Sequence, residues 1–218
     1  MPRWLLVLLG LGFAFSYVVL AVLSFGSATR FFANGARCAV CAGLFALAVA
    51  TAASGFNFSF GEAAERSSNW IFIPLLTLGV LLGAACSFSD AHRWLTLGGA
   101  TTRAAGLLLF AVGVWLRIAA MWVLGSRFSV WVAIQEEHAL VTTGLYRMVR
   151  HPSYTGALLM LLGWALVFRS LLGVAIVAMM ALVLMARVVA EEKWLLERFG
   201  ESYREYQRRS WRLVPWVC

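Results

Sequence analysis

Cationic and hydrogen-bonding side chains crowd one short stretch, "YRMVRHPSYTG", where a polar segment meets a long apolar run. Arg147, Arg150 and His151 lie just before Pro152, and proline is favoured in the first turn of a helix. The start of a helix offers unpaired backbone N–H groups and a partial positive charge. This end of a helix is therefore suited to an anion such as a carboxylate or a phosphate. The alternative for the arginines is contact with lipid phosphates.

A second pair of charged residues, Arg187 and Glu191, is spaced four residues apart in an apolar run and therefore shares one helix face. Two interpretations stay open. The pair can form an internal salt bridge near the end of the helix, or it can bind a charged group of a substrate at the rim of the bilayer. Glu192 points about 100° away from Glu191, so the two glutamates need not share a role.

Two further polar groups lie close to apolar segments. The run Gln135 to His138 contains two glutamates and is either a solvated loop or the wall of a pocket. Arg117 interrupts an apolar window. Its side chain either extends past Trp122 to the membrane surface or faces an interior cavity, and the sequence leaves both orientations open.

The elements that must position these residues are apolar helices. Each of the first three charge-free windows can supply about 20 residues of helix, which is roughly 30 Å and one bilayer core, and the last two windows are shorter. The windows are residues 4–29, 38–61, 67–89, a window after Arg103 that Arg117 interrupts, 152–168 and 170–186. The last two meet at Arg169, which predicts a helical hairpin. Six transmembrane helices are expected, the last one extending to about Arg198.

Two segments lie outside these windows. Residues 126–150 are too polar to span a bilayer but keep apolar residues throughout, which favours a structured loop held against the membrane face. The C-terminal segment alternates charged and aromatic residues at helical spacing and predicts an amphipathic helix that lies in the interface or caps the bundle. Its apolar members are Trp194, Leu195, Phe199, Tyr203, Tyr206 and Trp211.

Composition agrees with this organisation. Of 218 residues, 62% are hydrophobic and 13% are charged, and the mean hydropathy is +0.83. A soluble domain would lack enough polar side chains to cover its surface. The predicted fold class is an all-α, polytopic membrane helical bundle with a C-terminal amphipathic helix. The net charge of +8 comes from residues at the ends of apolar runs, so lipid headgroups are the expected partners and nucleic acid is not.

An even number of spans places both termini on one side of the membrane, and Arg127, Arg147 and Arg150 favour the cytoplasm for that side. Arg30 and Arg37 fall on the opposite side. A CxxC motif, Cys38 to Cys41, lies in an apolar run without a second pair of ligands, so no metal site is expected.

Four ordered motifs in residues 126–215 resemble the isoprenylcysteine carboxyl methyltransferase family and the related phospholipid methyltransferases. The first comprises Gln135, His138, Leu140, Val141, Thr142, Gly144 and Tyr146. The second is "RHPSYTG", Arg150 to Gly156, and the third is Arg187 with Glu191 and Glu192. The fourth extends from Phe199 to Arg209.

The resemblance implies a membrane-embedded methyltransferase that uses S-adenosyl-L-methionine. It implies that residues 101–218 form the catalytic core and that residues 1–100 are N-terminal transmembrane helices of unknown role. The implied substrate-binding and catalytic pair is Arg187 and Glu191. The implied cofactor contacts are Gln135, His138, Ala139, Leu140, Val141, Tyr146, His151, Pro152, Ser153 and Tyr154.

The residue types suit that chemistry. Tyr146 and Tyr154 can face the sulfonium of the cofactor, and His151 with the open helix start can hold its carboxylate. The expected acceptor is the carboxylate of an isoprenylcysteine or a similar lipid-borne acid, which is already ionised and needs only a cation such as Arg187 to hold it. An amine acceptor must first lose a proton, and Glu191 or His138 would then be the base.

Three alternatives to the carboxyl methyltransferase remain: a phospholipid N-methyltransferase, a non-enzymatic membrane protein of the same fold, and a membrane reductase related to sterol reductases, which the 135–154 motifs fit less well. The expected location is a bacterial inner membrane, or the endoplasmic reticulum in a eukaryote, with the catalytic loops in the cytoplasm. The expected partners are membrane lipids and a lipophilic, prenylated substrate.

Overall fold

The structure is a computed structural model that describes residues 3–54, 71–124 and 140–215. The described residues form an all-α bundle, as predicted. Its elements are α1 (Arg3–Phe25), α2 (Ala28–Phe32), α3 (Gly35–Ala53), α4 (Phe72–His92), α5 (Ala100–Leu124), a 3₁₀ helix (Gly144–Arg147), α6 (Pro152–Val167), α7 (Leu171–Phe199) and α8 (Glu201–Arg209).

Five of these helices (α1, α3, α4, α5 and α7) are long and apolar enough to cross a membrane. The sixth apolar helix, α6, has 16 residues and is about 24 Å long at 1.5 Å per residue. The protein is therefore an integral membrane protein, and its described residues contain six apolar helices, five of them long enough to span a bilayer. Helix α5 is continuous through Arg117, the charged residue that interrupts its window.

Helices α5 and α6 pack closely along a seam of four glycines. Gly106 and Gly113 lie on α5, and Gly156 and Gly163 lie on α6, each pair seven residues apart and so on one helix face. A Cβ atom built on any of them would lie 2.4–2.8 Å from backbone atoms of the opposite helix. Small residues allow this backbone approach, and dispersion contacts along it substitute for the hydrophobic driving force that lipid removes. The seam fixes the short α6 against the longer α5.

The turn between α6 and α7 forms the predicted hairpin. Arg169 has a φ of 54°, and the Ser170 side chain caps α7 by accepting a hydrogen bond from the backbone N–H of Gly173. The segment before α5 also bonds to the turn, because the N–H of Leu97 donates to the carbonyl of Arg169 at 2.7 Å. The turn is thus bonded to a neighbouring segment as well as to its own helices.

A single carboxylate ties four elements together at this end of the bundle. Asp90 of α4, whose side chain is 1% exposed, pairs with Arg37 of α3 at 2.7 Å. It also pairs with Arg103 of α5 and with Arg169 of the hairpin turn, each at 2.8 Å. Arg103 donates in addition to the carbonyl of Val167, the last residue of α6. We call this group the Asp90 cluster.

The C-terminal part of the chain leaves α7 at Gly200, whose φ of 54° favours glycine, and continues as the amphipathic helix α8. Tyr203 is its buried residue, whereas Arg204 and Glu201 pair on its exposed face. After α8 the chain runs back along the loop that precedes α6. Residues 210–213, which we call the C-terminal strap, make this return.

Candidate active site

The first turn of α6 is the centre of the candidate site. Pro152 occupies the first helical position, where its missing N–H costs nothing because that group would have no helical partner. His151 precedes it as the N-cap, and its carbonyl accepts from the N–H of Tyr154 at 3.1 Å. The rings of these two residues stack with their centroids 5.6 Å apart. One helix start therefore positions both predicted cofactor contacts.

Tyr154 joins the predicted substrate pair of α7. Nε of Arg187 donates to the Tyr154 hydroxyl at 2.7 Å, and that hydroxyl donates to Oε2 of Glu191 at 2.9 Å. Arg187 is buried, and its guanidinium carbon lies 4.6 Å from the centre of the Phe72 ring of α4. A buried guanidinium next to a neutral hydroxyl and an aromatic face can hold a carboxylate in a poorly solvated place.

Glu192 serves a different group, as its position on the helix predicted. Its carboxylate accepts from Nε of Arg150 at 2.8 Å and from Nε of Arg212 at 2.9 Å. Nε2 of His151 lies 3.4 Å from Oε1 of the same carboxylate. Glu192 is buried, so the two guanidinium groups of Arg150 and Arg212 offset the cost of taking its charge out of water. The two adjacent glutamates thus face separate parts of the site.

The C-terminal strap holds the loop before α6 through backbone hydrogen bonds. The N–H of Trp211 donates to the carbonyl of Met148 at 2.8 Å, and the N–H of Arg150 donates to the carbonyl of Trp211 at 2.7 Å. The N–H of His151 donates to the carbonyl of Arg212 at 3.1 Å. A side-chain bond adds to these, because Nη1 of Arg150 donates to the carbonyl of Ser210. The loop is therefore fixed by residues far along the chain.

Tyr146, in the 3₁₀ helix, is held from two sides. Its hydroxyl donates to the carbonyl of Ala120 in α5 at 3.4 Å, and its own carbonyl accepts from the Tyr206 hydroxyl of α8 at 2.6 Å. Burial, with a contribution from the charge of Glu191, raises the pKa of Tyr146 well above its ordinary value. Burial likewise raises the pKa of Tyr206 to about 12. Both phenols are therefore neutral hydrogen-bond donors at physiological pH.

The structure brings together most of the predicted site residues that it describes. Tyr146 and the run from His151 to Tyr154 meet the end of α7 with Arg187 and Glu191. Leu140 and Val141 are half-buried just before the 3₁₀ helix. Three predicted cofactor contacts, Gln135, His138 and Ala139, lie outside the described residues.

Next to the site lie Arg117, whose orientation the sequence left open, and three residues for which the sequence predicted no role in the site. Arg117 turns toward α6, where its Nη1 donates to the carbonyl of Ser153 at 3.3 Å and to the Ser153 hydroxyl at 3.2 Å. The sequence singles it out as a charged residue inside an apolar span, which is a functional hypothesis by default. Phe72, Arg212 and Tyr206 carried no comparable signal, because only the fold brings them here.

Comparisons with known proteins test the resemblance. Residues 101–202 match the family model described as phospholipid methyltransferase. A protein-S-isoprenylcysteine O-methyltransferase of Schizosaccharomyces pombe is 39% identical over 123 residues, which are 53% of this chain and 50% of that protein. The resemblance to the isoprenylcysteine carboxyl methyltransferase family is confirmed.

Other relatives in that family give similar values. Protein-S-isoprenylcysteine O-methyltransferase A of Arabidopsis thaliana is 35% identical over 115 residues, which are 51% of this chain and 58% of the relative. The Homo sapiens protein-S-isoprenylcysteine O-methyltransferase is 35% identical over 115 residues, covering 51% of this chain and 40% of the human protein. The chain therefore spans about half the length of the curated relatives that it matches.

A solved structure extends the comparison to the fold. The structure of a eukaryotic intramembrane Ras methyltransferase, an isoprenylcysteine carboxyl methyltransferase, superposes with a TM-score of 0.54 at 22% sequence identity. The match covers 94% of this chain and 74% of that one. The two chains share a fold, and the likeness includes the N-terminal helices that carry no motif.

Proposed function

We propose that this protein is an integral membrane methyltransferase that transfers a methyl group from S-adenosyl-L-methionine to the carboxylate of a lipid-borne acid, such as a C-terminal isoprenylcysteine. The observation that carries this proposal is that Arg187 and Glu191 both form hydrogen bonds with the hydroxyl of Tyr154. These bonds connect the predicted acceptor pair to the helix start that carries the predicted donor contacts.

The described residues fit the methyl donor. S-Adenosylmethionine supplies an electrophilic methyl group on a sulfonium, and its binding requires aromatic faces or oxygens for the cation together with an apolar wall for the adenine. Tyr146 in the 3₁₀ helix and Tyr154 in the first turn of α6 offer aromatic rings, and Leu140 and Val141 offer apolar surface. Gln135, His138 and Ala139 complete the proposed set, with Pro152 and Ser153 contributing the first turn of α6.

The acceptor side of the proposal depends on Arg187. A carboxylate nucleophile is ionised at neutral pH, so the site must align it and keep water away rather than remove a proton. The guanidinium of Arg187 can hold one carboxylate oxygen while the other attacks the methyl carbon in line with the departing sulfur. Glu191 accepts a hydrogen bond from the Tyr154 hydroxyl and so orients it. The same carboxylate can accept a hydrogen bond from the amide N–H of a prenylcysteine.

Phospholipid N-methylation is the second candidate, because the family model that matches residues 101–202 bears the name of phospholipid methyltransferases. For that reaction Glu191 would act as the base that removes a proton from the amine. The position of Arg187 favours the carboxylate acceptor, because a buried guanidinium repels an ammonium group and raises the cost of bringing it to the site.

The arrangement of the chain follows from the same proposal. Residues 101–218 would form the catalytic core, and residues 1–100 would support it from the membrane. The loop before α6 and the C-terminal strap would face the cytoplasm, where the donor is available. A bacterial inner membrane is the proposed location, with the endoplasmic reticulum as its eukaryotic counterpart, and prenylated substrate would enter sideways from the lipid.

The test uses purified protein in detergent with radiolabelled S-adenosylmethionine and two acceptors, a farnesylcysteine analogue and phosphatidylethanolamine. We expect label in a base-labile methyl ester of the first acceptor. The Arg187→Gln variant should lose at least about a hundredfold in turnover, the scale of removing one charged positioning contact. It should retain the donor affinity of the wild type, because Arg187 lies on the acceptor side.

The exposed-face variant Arg204→Gln is the matched control, since it removes an arginine from a pair whose side chains are 59% and 68% exposed. Base-stable label in the phospholipid would favour N-methylation. Normal turnover by the Arg187→Gln variant would show that the acceptor site has been placed wrongly.

A further inference from the structure

Arg117 places a guanidinium inside the bundle beside the first turn of α6. The glycine seam accounts for its position, because a Cβ atom on Gly156 would lie 2.8 Å from the backbone nitrogen of Arg117. This approach brings the α5 backbone onto the first turn of α6 and puts the side chain over Ser153. Arg117 as a residue is intermediate between buried and exposed.

The contacts of Arg117 differ from those of its charged neighbours. Arg150 donates to the carboxylate of Glu192, and Arg187 shares the Tyr154 hydroxyl with Glu191. Within residues 3–54, 71–124 and 140–215, the groups that Arg117 bonds are both neutral oxygens of Ser153, at 3.2 and 3.3 Å from a single nitrogen. A guanidinium carries five N–H donors, and neutral acceptors do not compensate its charge.

A cation kept without a carboxylate at membrane depth is costly, which favours a function in binding an anion. The predicted anchor for the donor carboxylate was His151 with the open helix start. In the structure Nε2 of His151 lies 3.4 Å from the carboxylate of Glu192. His151 therefore already faces one carboxylate, whereas Arg117 is a cationic group at the same turn, and its hydrogen bonds to described residues go to neutral oxygens.

Resting on the proposed function, we propose that Arg117 binds the α-carboxylate of the methyl donor. Arg117 contacts Ser153, which is one of the proposed contacts of the methyl donor. Arg187 and Glu191, the proposed contacts of the methyl acceptor, reach Tyr154 from α7. The bonds to Ser153 are long, so the guanidinium can exchange them for a bidentate pair with a carboxylate, which is the geometry it favours. The Ser153 hydroxyl can then donate a further hydrogen bond to the same carboxylate.

The experiment measures binding of S-adenosylhomocysteine and of its decarboxylated analogue, which keeps the thioether and the amine, to the full chain in detergent by calorimetry. The wild type should bind S-adenosylhomocysteine about 10- to 100-fold more tightly, the scale of a charge-assisted hydrogen bond. The Arg117→Gln variant should lose this preference and bind the decarboxylated analogue as the wild type does. The Arg117→Lys variant keeps the charge and should retain part of the preference.

Arg204→Gln is again the control and should keep the full preference. If Arg117→Gln weakens both compounds equally, the residue is structural and the proposal is overturned. Unchanged donor binding with a raised KM for the farnesylcysteine analogue would assign Arg117 to the acceptor and would also overturn it. If Arg117→Gln does not fold, Arg117→Lys is the test. A preference for S-adenosylhomocysteine below that of the wild type supports the proposal, and an unchanged preference overturns it. Failure of the wild type to bind S-adenosylhomocysteine at all would instead overturn the proposed function.

Discussion

The Asp90 cluster predicts a large loss of stability from one substitution. Asp90→Asn keeps the size of the side chain but removes the negative charge that three arginines share. The side chain of Asp90 is 1% exposed, and those of Arg37 and Arg103 are 8% and 16% exposed. Breaking a buried ion pair by changing one partner costs about 3–5 kcal/mol, because the other charge stays buried without compensation.

We therefore expect Asp90→Asn to lower the free energy of unfolding by about 3–5 kcal/mol. Arg169, whose side chain is 23% exposed, has water available and adds little to this cost. The measurement is a denaturant titration in mixed micelles, followed by circular dichroism. The double variant Asp90→Asn with Arg169→Gln should regain part of the loss, because it carries one surplus cation fewer.

Two controls separate this effect from general damage. Glu201→Gln removes a carboxylate from an exposed pair on α8 and should change the unfolding free energy by less than about 0.5 kcal/mol. The affinity of folded Asp90→Asn protein for S-adenosylhomocysteine should equal that of the wild type, because the cluster and the site lie at opposite ends of α6. A loss of under about 1 kcal/mol would show that Asp90 does not hold the bundle together.

Two further substitutions test the helix seam and the strap. Gly163→Ala places a Cβ atom 2.4 Å from the backbone of α5 and should cost about 1–3 kcal/mol in the same titration, whereas Gly79→Ala, with nothing within 4 Å, should be neutral or stabilising. Glu192→Gln weakens the hydrogen bonds to Arg150 and Arg212. The KM for the methyl donor should therefore rise about tenfold, a loss of about 1.4 kcal/mol in binding free energy, with a smaller change in kcat. A fall in kcat alone would contradict a positioning role for Glu192.

The apolar helices could be predicted because a bilayer requires about 20 residues without charge, and charged residues mark the ends of such windows clearly. Arg117 interrupts the charge-free window of α5, and the sequence left the orientation of its side chain open. The helix continues because that side chain finds Ser153 on the neighbouring helix. The short helix α2 also escaped prediction, as it depends on a turn at Gly26 and a cap by Ser27.

The Asp90 cluster could not be predicted, because its hydrogen-bonded partners are 53, 13 and 79 residues away in the chain. Periodicity reports only on neighbours within a helix. Spacing did place Arg187 and Glu191 on one face, but it gave no reason to put the Tyr154 hydroxyl between them. The resemblance grouped the site residues as a set, and the roles of the individual side chains stay predictions.

The parallel bridge between Val149 and Trp211 also constrains when the protein can become competent during its synthesis. Arg150 and its partner Ser210 are 60 residues apart. At translation rates of about 5–20 residues per second, the partner leaves the ribosome about 3–12 s after the loop that it must fasten. A nascent chain can thus insert α6 and α7 into the bilayer before the loop that precedes α6 is held in place, so the loop reaches its final structure after insertion.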